Sequence, residues 1–335
     1  MVLPGMSATV PPAPLQLAVL IPLRDDWASA AQLLRALDSS LASASCVAHV
    51  FLVDDGSVSP CPHADFSGYA ALRSIRLLHL RCNLGHQRAI ATGLVHIHAT
   101  FPCDAVLVMD GDGEDTAEGA LRLVEAYTGQ ACLFARRTGR NESFAFQFCY
   151  RLFKPAFRLL TGIPIGIGNF SLLPASYIGA LAAMPELWTH YAATALRSDL
   201  PLVQVPLARG HRIAGQSKMN FLSLAIHGLR AISVFADRVA ARILACLGVA
   251  WLLAFTAFAA MAIRAGLLHL PTSASTVWAL GDLAGLITLL LATALAFALH
   301  FLSGRPSFAF IPLRDAAFFL AEERALFAST QPASR

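Results

Sequence analysis

Four carboxylates stand within six residues, at Asp110, Asp112, Glu114 and Asp115, directly after the apolar run Ala105-Val106-Leu107-Val108-Met109. A short apolar run bounded by Asp and Gly reads as a buried strand that ends at its carboxyl edge. In open α/β sheets that edge is where ligands bind. Carboxylates crowded there repel one another unless a positive charge stands between them, and a divalent cation holding phosphates answers that need. A solvated Asp/Gly turn has the same composition, so the surroundings must decide. A second acidic turn, Asp54-Asp55-Gly56-Ser57, closes another apolar run, and two such strand ends can converge on one cleft. One carboxylate can then bond a nucleobase or ribose while others hold a metal on a diphosphate, which suits a nucleotide-sugar donor. Mg2+ or Mn2+ fits all-oxygen ligands.

The elements that must position these turns alternate in the α/β manner. Apolar runs predict strands over 17–23, 47–53, 75–80, 104–109 and 131–135. Helical periodicity fills 27–41, 85–99, 116–127 and 144–160. His86 reads as a residue that caps or packs at a helix start, and three arginines, Arg136, Arg137 and Arg140, follow the fifth strand near the expected anion site. The G-x-G-x-x-G fingerprint is missing after the first strand, which argues against a dinucleotide site.

The 335 residues are 56% hydrophobic and only 14% charged, with a mean hydropathy of +0.59. Soluble domains are nearer a quarter charged, so part of this chain is expected in lipid. Residues 243–263 and 283–302 contain no Asp, Glu, Lys or Arg, and each is about the 20 residues a bilayer core requires. Arg238 and Arg242 precede the first span, and Arg305 and Arg314 follow the second. Basic flanks on both outer sides place both termini in the cytoplasm, in a multi-pass membrane protein anchored by a helical hairpin. Residues 1–14, Pro-rich and uncharged, read as a flexible leader, 219–242 as an interfacial amphipathic segment, and 304–335 as a cytoplasmic tail. The seven scattered cysteines, without a C-x-x-C, argue against a disulfide framework. A net charge of +4 without long basic runs excludes no protein partner but gives no footprint for nucleic acid. Whether copies associate as a homo-oligomer is left open.

Taken in order, the motifs resemble glycosyltransferase family 2, and within it the polyprenyl-phosphate glycosyltransferases related to dolichol-phosphate mannose synthase. The resemblance rests on Ile21-Pro22, Asp54-Asp55-Gly56-Ser57, Arg81-Cys82-Asn83-Leu84-Gly85-His86-Gln87, the block from Met109 to Glu118, and Arg212-Ile213-Ala214-Gly215-Gln216-Ser217-Lys218 ahead of the apolar spans. Each motif alone is weak; five in order over about 300 residues are specific. The resemblance implies an α/β GT-A domain over 15–218, followed by the transmembrane hairpin. It implies an inverting enzyme that moves one sugar from a nucleotide-sugar donor to a polyprenyl-phosphate acceptor, with Mg2+ or Mn2+ as cofactor.

By the same resemblance Pro22, Asp54 and Asp55 line the nucleoside pocket, and Asp110 and Asp112 form the D-x-D pair at the donor phosphates and metal. Glu114 stands beside that metal. Asp112 and Asp115 are the candidate catalytic residues. Arg137 and Arg140 match a basic pair facing the acceptor phosphate, and Arg212, Ser217 and Lys218 match a loop that closes over phosphates. Two departures stand out. Gly168-Asn169-Phe170-Ser171-Leu172 replaces the family's Asp-Phe-Arg-Leu, so an amide stands where a base is sometimes assigned, and Thr116-Ala117 replaces a Pro-Pro pair. The residues also allow transfer to another lipid or lipid-linked glycan, or a non-catalytic membrane partner that binds nucleotide or lipid phosphate.

Overall fold

The computed structural model describes residues 13–62, 66–138, 144–213, 221–266, 274–303 and 310–329. They divide into two compact units. The first takes in the chain up to Asn141, Gly166–Asn220 and the segment from Ile311 onward; the second takes in Glu142–Ile165 and Phe221–Phe310.

The first unit is built on strands β1 (Leu15–Leu23), β2 (Cys46–Asp54), β3 (Leu72–Leu80), β4 (Ala105–Val108), β5 (Cys132–Thr138), β6 (Ser171–Pro174), β7 (Leu202–Ala208) and β8 (Leu320–Ala328). They form one sheet in the order β7-β5-β6-β4-β1-β2-β3-β8. β4, β1, β2 and β3 run parallel, and β6 and β8 enter antiparallel. The chain runs from β1 outward through β2 to β3, then returns to place β4 on the other side of β1. That reversal leaves a crevice beyond the carboxyl ends of β1 and β4, the usual ligand position in such sheets.

β1 is a near-continuous apolar run because helices cover both faces of the sheet. Leu17, Val19, Ile21, Val50, Leu52 and Leu107 pack on one face with helices α1 (Trp27–Leu41) and α3 (Ala117–Glu125). On the other, Leu20, Phe51, Val53, Val106 and Val108 meet α2 (His86–Thr100), α5 (Ala175–Ala182) and α6 (Tyr191–Arg197). Gly93 lets α2 approach closely: a Cβ there would lie 2.3 Å from Leu20 Cδ1 and 2.8 Å from Val53 Cγ2. The Thr116 substitution has a local purpose, because its hydroxyl accepts the Gly119 N–H at 3.0 Å and caps α3.

The five expected strands and their intervening helices are present, within a few residues of the expected ends. The segment expected as a tail contains β8, which pairs with β3 so that Leu77 faces Arg324 and His79 faces Glu322. Short β6 and exposed β7 carried too little apolar periodicity to be legible.

The second unit is helical: α4 (Phe144–Thr161), α7 (Phe221–Ser233), α8 (Ala236–Gly266) and α9 (Ala274–Ser303). Phe157 and Phe235 meet edge to face at 5.8 Å. Arg242 Nη1 donates to the Leu159 carbonyl at 2.7 Å, supplying the end of α4 with a cation. Windows in α8 and α9 are long and apolar enough to cross a membrane, with 6% of one and none of the other buried. Both helices extend beyond the apolar spans read from the sequence, since hydropathy marks only the apolar part of a helix. Trp251 Nε1 donates to Thr288 Oγ1 at 2.7 Å and ties the two together.

Candidate active site

Met109 donates its N–H to the Leu20 carbonyl at 3.1 Å, so the acidic turn leaves the sheet beside the end of β1. A Cβ on Gly111 would meet Ile21 Cγ2 at 3.1 Å and the Pro22 oxygen at 3.5 Å. Pro22, expected in the nucleoside pocket, thus stands beside the acidic turn, at the reversal point of the sheet. The turn is tied to itself: Asp115 Oδ2 accepts the Asp110 N–H at 2.9 Å, and Asp112 Oδ1 accepts the Glu114 N–H at 2.9 Å.

Three arginines face these carboxylates. Arg212 Nη2 lies 2.7 Å from Asp112 Oδ2, and Arg209 Nε 3.1 Å from Glu114 Oε2. Arg137 reaches Asp115 Oδ1 at 3.2 Å and Glu114 Oε2 at 3.8 Å. The segment after β7 is also pinned through its backbone, Gly210 N–H to Glu114 O and Ile213 N–H to Asp112 O, each at 2.9 Å. Gly113 makes this approach feasible, with φ at 88° and Ile213 2.4 Å from where a Cβ would stand. Of the phosphate-facing residues expected here, Arg137 and Arg212 stand against the acidic turn, while Arg140, Ser217 and Lys218 lie outside the described residues. Arg209 carried no sequence signal.

Asp54 and Asp55 are both buried. Asp54 accepts the Ser57 N–H at 2.8 Å and stands 2.7 Å from His79 Nδ1. Asp55 accepts the N–H groups of Leu84 at 2.6 Å and Gly85 at 2.9 Å, clamping the entry to α2. The turn needs its glycine: Gly56 has φ of 70°, and a Cβ would lie 2.9 Å from the Asn83 nitrogen. Asp25, unassigned in the sequence reading, accepts from Val58 N–H and Ser59 N–H at 2.8 and 2.9 Å and binds this turn to the end of β1. A cavity of about 290 Å3 is lined by Asp54 together with Ser57, Pro60, His79, Glu322 and Arg324.

The charges are strongly perturbed. Burial and the neighbouring Asp110 charge push the Asp115 carboxyl up to about 7. Burial also raises Asp112 and Asp55. Asp110 differs: burial opposes its charge, but the adjacent His86 imidazole outweighs that and holds the carboxyl below the usual range. His86 is raised in turn, its desolvation overcome by Asp110. It stands at the start of α2 as expected, but its Nε2 is 3.1 Å from Asp110 Oδ1, so it faces the site as well.

No group of three or more His, Cys, Asp or Glu side chains is gathered as a metal cluster among the described residues. Asp110 Oδ1 is nevertheless shut off from solvent. That oxygen has the His86 ring 3.1 Å away but no well-aligned hydrogen bond, and a buried carboxylate oxygen so placed fits a hard cation. One or two carboxylates are a usual protein share where substrate phosphates and water complete the shell.

Residues 18–178 match glycosyl transferase family 2. An uncharacterized glycosyltransferase of Synechocystis is 24% identical over 241 residues, 67% of this chain and 72% of that protein. Undecaprenyl-phosphate 4-deoxy-4-formamido-L-arabinose transferases of Klebsiella pneumoniae and Erwinia tasmaniensis are each 25% identical, over 64% and 62% of this chain. The matched region spans 66% and 64% of those two relatives. Among solved structures, glucosyl-3-phosphoglycerate synthase of Mycobacterium tuberculosis with Mn2+, UDP-glucose and phosphoglyceric acid is similar at 15% identity. That likeness covers 67% of this chain and 80% of the synthase, with a TM-score of 0.49. Residues 18–178 thus carry a glycosyl transferase family 2 domain, and the chain is a glycosyltransferase.

Proposed function

We propose that the chain transfers one sugar from a nucleotide-sugar to a polyprenyl phosphate at the cytoplasmic face of a membrane. The observation that carries this reading is the acidic turn at the β1/β4 crevice, with His86 beside Asp110 and Arg137, Arg209 and Arg212 facing the other carboxylates. Two relatives named as undecaprenyl-phosphate sugar transferases favour the lipid phosphate over another acceptor. The unburied apolar surface of α8 and α9 favours a membrane anchor. β7 and β8 belong to one sheet although α8 and α9 lie between them in the chain, which supports an even number of crossings. The basic flanks then favour the cytoplasmic side for both.

Asp110 and Asp112 would hold Mg2+ or Mn2+, with Glu114 beside them. When bound, the cation neutralises charge on the departing nucleoside diphosphate. Arg212 and Arg209 exchange their carboxylate partners for donor phosphate oxygens, for which the guanidinium fork is suited. Pro22 and Asp55 border the nucleoside, while Asp54 supports the turn from below. Arg137 faces the acceptor's phosphate, and Asp115 orients both it and the Asp110 backbone. The acceptor's phosphate oxygen bonds to the anomeric carbon as the carbon–oxygen bond to the diphosphate breaks, with inversion. A phosphate monoester is already ionised near neutral pH, so no strong general base is required.

The test compares polyprenyl phosphate with the matching polyprenol as acceptor for the full chain in membranes, using labelled nucleotide-sugars. Label entering only the phosphorylated lipid supports the reading; equal labelling of both shifts it to another lipid acceptor.

A further inference from the structure

The first unit covers its aromatic side chains with one exception. Among its described Phe, Tyr and Trp residues Phe318 alone is exposed, at 73%, and Leu313, five residues earlier, is exposed as well. Both belong to the segment that leads into β8: a short helix, α10 (Pro312–Asp315), and a single 3-10 turn, Ala316–Phe319. The segment is anchored, so this exposure is not that of a loose end. Pro312 and Ala316 are buried, the Ile311 N–H bonds Asp315 Oδ2 at 2.8 Å, and Leu320 pairs with Leu80 as β8 begins. Arginines and further rings continue the surface. The Arg81 N–H bonds the Phe319 carbonyl at 2.9 Å, and Arg81 Nε donates to the Phe318 carbonyl at 2.7 Å. The Arg81 guanidinium also lies 5.8 Å from the Phe318 ring centre. Phe318 meets Phe319 edge to face at 5.5 Å, Phe319 meets Trp188 at 5.2 Å, and Arg88 stands 5.6 Å from the Trp188 ring. The result is a strip of three rings, with exposed arginines at both ends. Its charge is positive, since the nearby Asp315 is already matched by Arg314 at 2.7 Å. Arg81 directly follows β3, and Arg88 stands in the first turn of α2. The strip therefore lies on the carboxyl edge of the sheet, the edge that carries the acidic turn.

We propose that Leu313, Phe318, Phe319 and Trp188, flanked by Arg81 and Arg88, form a docking surface for the headgroup layer of a membrane that contains anionic lipid. An exposed apolar strip on a folded unit marks a contact, and three observations select this one. Aromatic rings favour the boundary between headgroup and acyl chain. The arginines complement the phosphates of an anionic leaflet. The segment also enters soon after a helix of membrane-spanning length: α9 ends at Ser303 and Ile311 follows eight residues on, a tether that spans at most roughly 30 Å. The inference rests on the membrane anchor proposed above and goes beyond it, by giving named residues outside the apolar helices a membrane contact. That contact turns the carboxyl edge of the sheet toward the bilayer. A lipid phosphate then reaches the edge that carries the acidic turn without leaving the headgroup layer.

The test is photocrosslinking of the full chain in phospholipid nanodiscs, with a benzophenone amino acid in place of Phe318, Leu290 or Ala99. Leu290 is exposed on α9, and Ala99 is exposed at the opposite end of α2 from Arg88. Phospholipid adducts are expected at positions 318 and 290, with none above background at 99. When phosphatidylcholine replaces phosphatidylglycerol in the discs, the yield at 318 should fall severalfold while that at 290 is unchanged. Adducts at 290 without any at 318 would overturn the docking surface and leave the anchor standing. Adducts at neither position would overturn both. A crosslink from 318 to a second copy of the chain in place of lipid would contradict the proposal, as would equal yields at 318 in the two lipids.

Discussion

Arg212 Nη2 lies 2.7 Å from Asp112 Oδ2, across one hundred residues of chain, and the next residue's N–H bonds the Asp112 carbonyl. The segment after β7 thus rests on the D-x-D turn through both side chain and backbone. Its arginines neutralise the carboxylates in the same place where a diphosphate would be bound. Donor binding on this account is an exchange of partners: the guanidinium moves from carboxylate to phosphate as the carboxylate turns to the cation.

Arg212→Ala is therefore expected to weaken the donor more than the chemistry. A rise of about tenfold in donor KM, ~1.4 kcal/mol, with kcat changed less, is the outcome steady-state kinetics should give. Arg212→Lys should recover only part of it, because an ammonium lacks the planar fork.

Gly93 places a different demand on the fold, since it lets α2 close onto the buried Leu20 and Val53 side chains. Gly93→Ala should overpack this contact at a cost of about 1–3 kcal/mol, seen as a lowered thermal midpoint of the detergent-solubilised protein. The site residues are untouched by it, so nucleotide affinity well below the transition should be retained.

The parallel strands were legible because helices cover both faces of the sheet, and such strands read as unbroken apolar runs. β8 was not legible because its sequence, Leu-Ala-Glu-Glu-Arg-Ala-Leu-Phe-Ala, lies at an edge and is largely exposed. β6 is only four residues long, and its partners are separated from it in the chain. The carboxylates of the site were legible from strand ends and spacing. Their partners were not: Arg209 meets Glu114 across 95 residues and Gln87 meets Asn169 across 82. No local pattern records such pairings.

Thiol reactivity should divide the cysteines sharply. Cys82 is exposed, whereas burial pushes the thiols of Cys103 and Cys132 up to about 11. Since the thiolate is the nucleophile, iodoacetamide near neutral pH should modify Cys82 first and leave Cys132 last, as followed by peptide mass spectrometry. Cys82→Ser should remove the fast phase.

Acid should weaken the domain partly through His49. Its ring lies 2.8 Å from Ser74 Oγ and 4.8 Å from the Phe101 ring centroid, and burial, with Arg76 and Arg73 adding positive charge, lowers its pKa. A histidine held neutral in the fold contributes stability that is present above its unfolded value of about 6.5 and lost as pH falls through it. The thermal midpoint should therefore fall more steeply below that value in the wild type than in His49→Gln. His86, whose raised pKa acts in the opposite direction, is common to both proteins and cancels in the comparison.

The central claim is that Asp110 and Asp112 hold the cation and diphosphate of a donor whose sugar passes to a lipid phosphate. Its most direct test is the entry of label from a panel of nucleotide-sugars into polyprenyl phosphate, in membranes carrying either the wild type or Asp112→Asn, with Mg2+ or Mn2+ present. The account predicts metal-dependent labelled lipid from the wild type and none above background from a variant inserted to the same level. Full labelling by Asp112→Asn would contradict it.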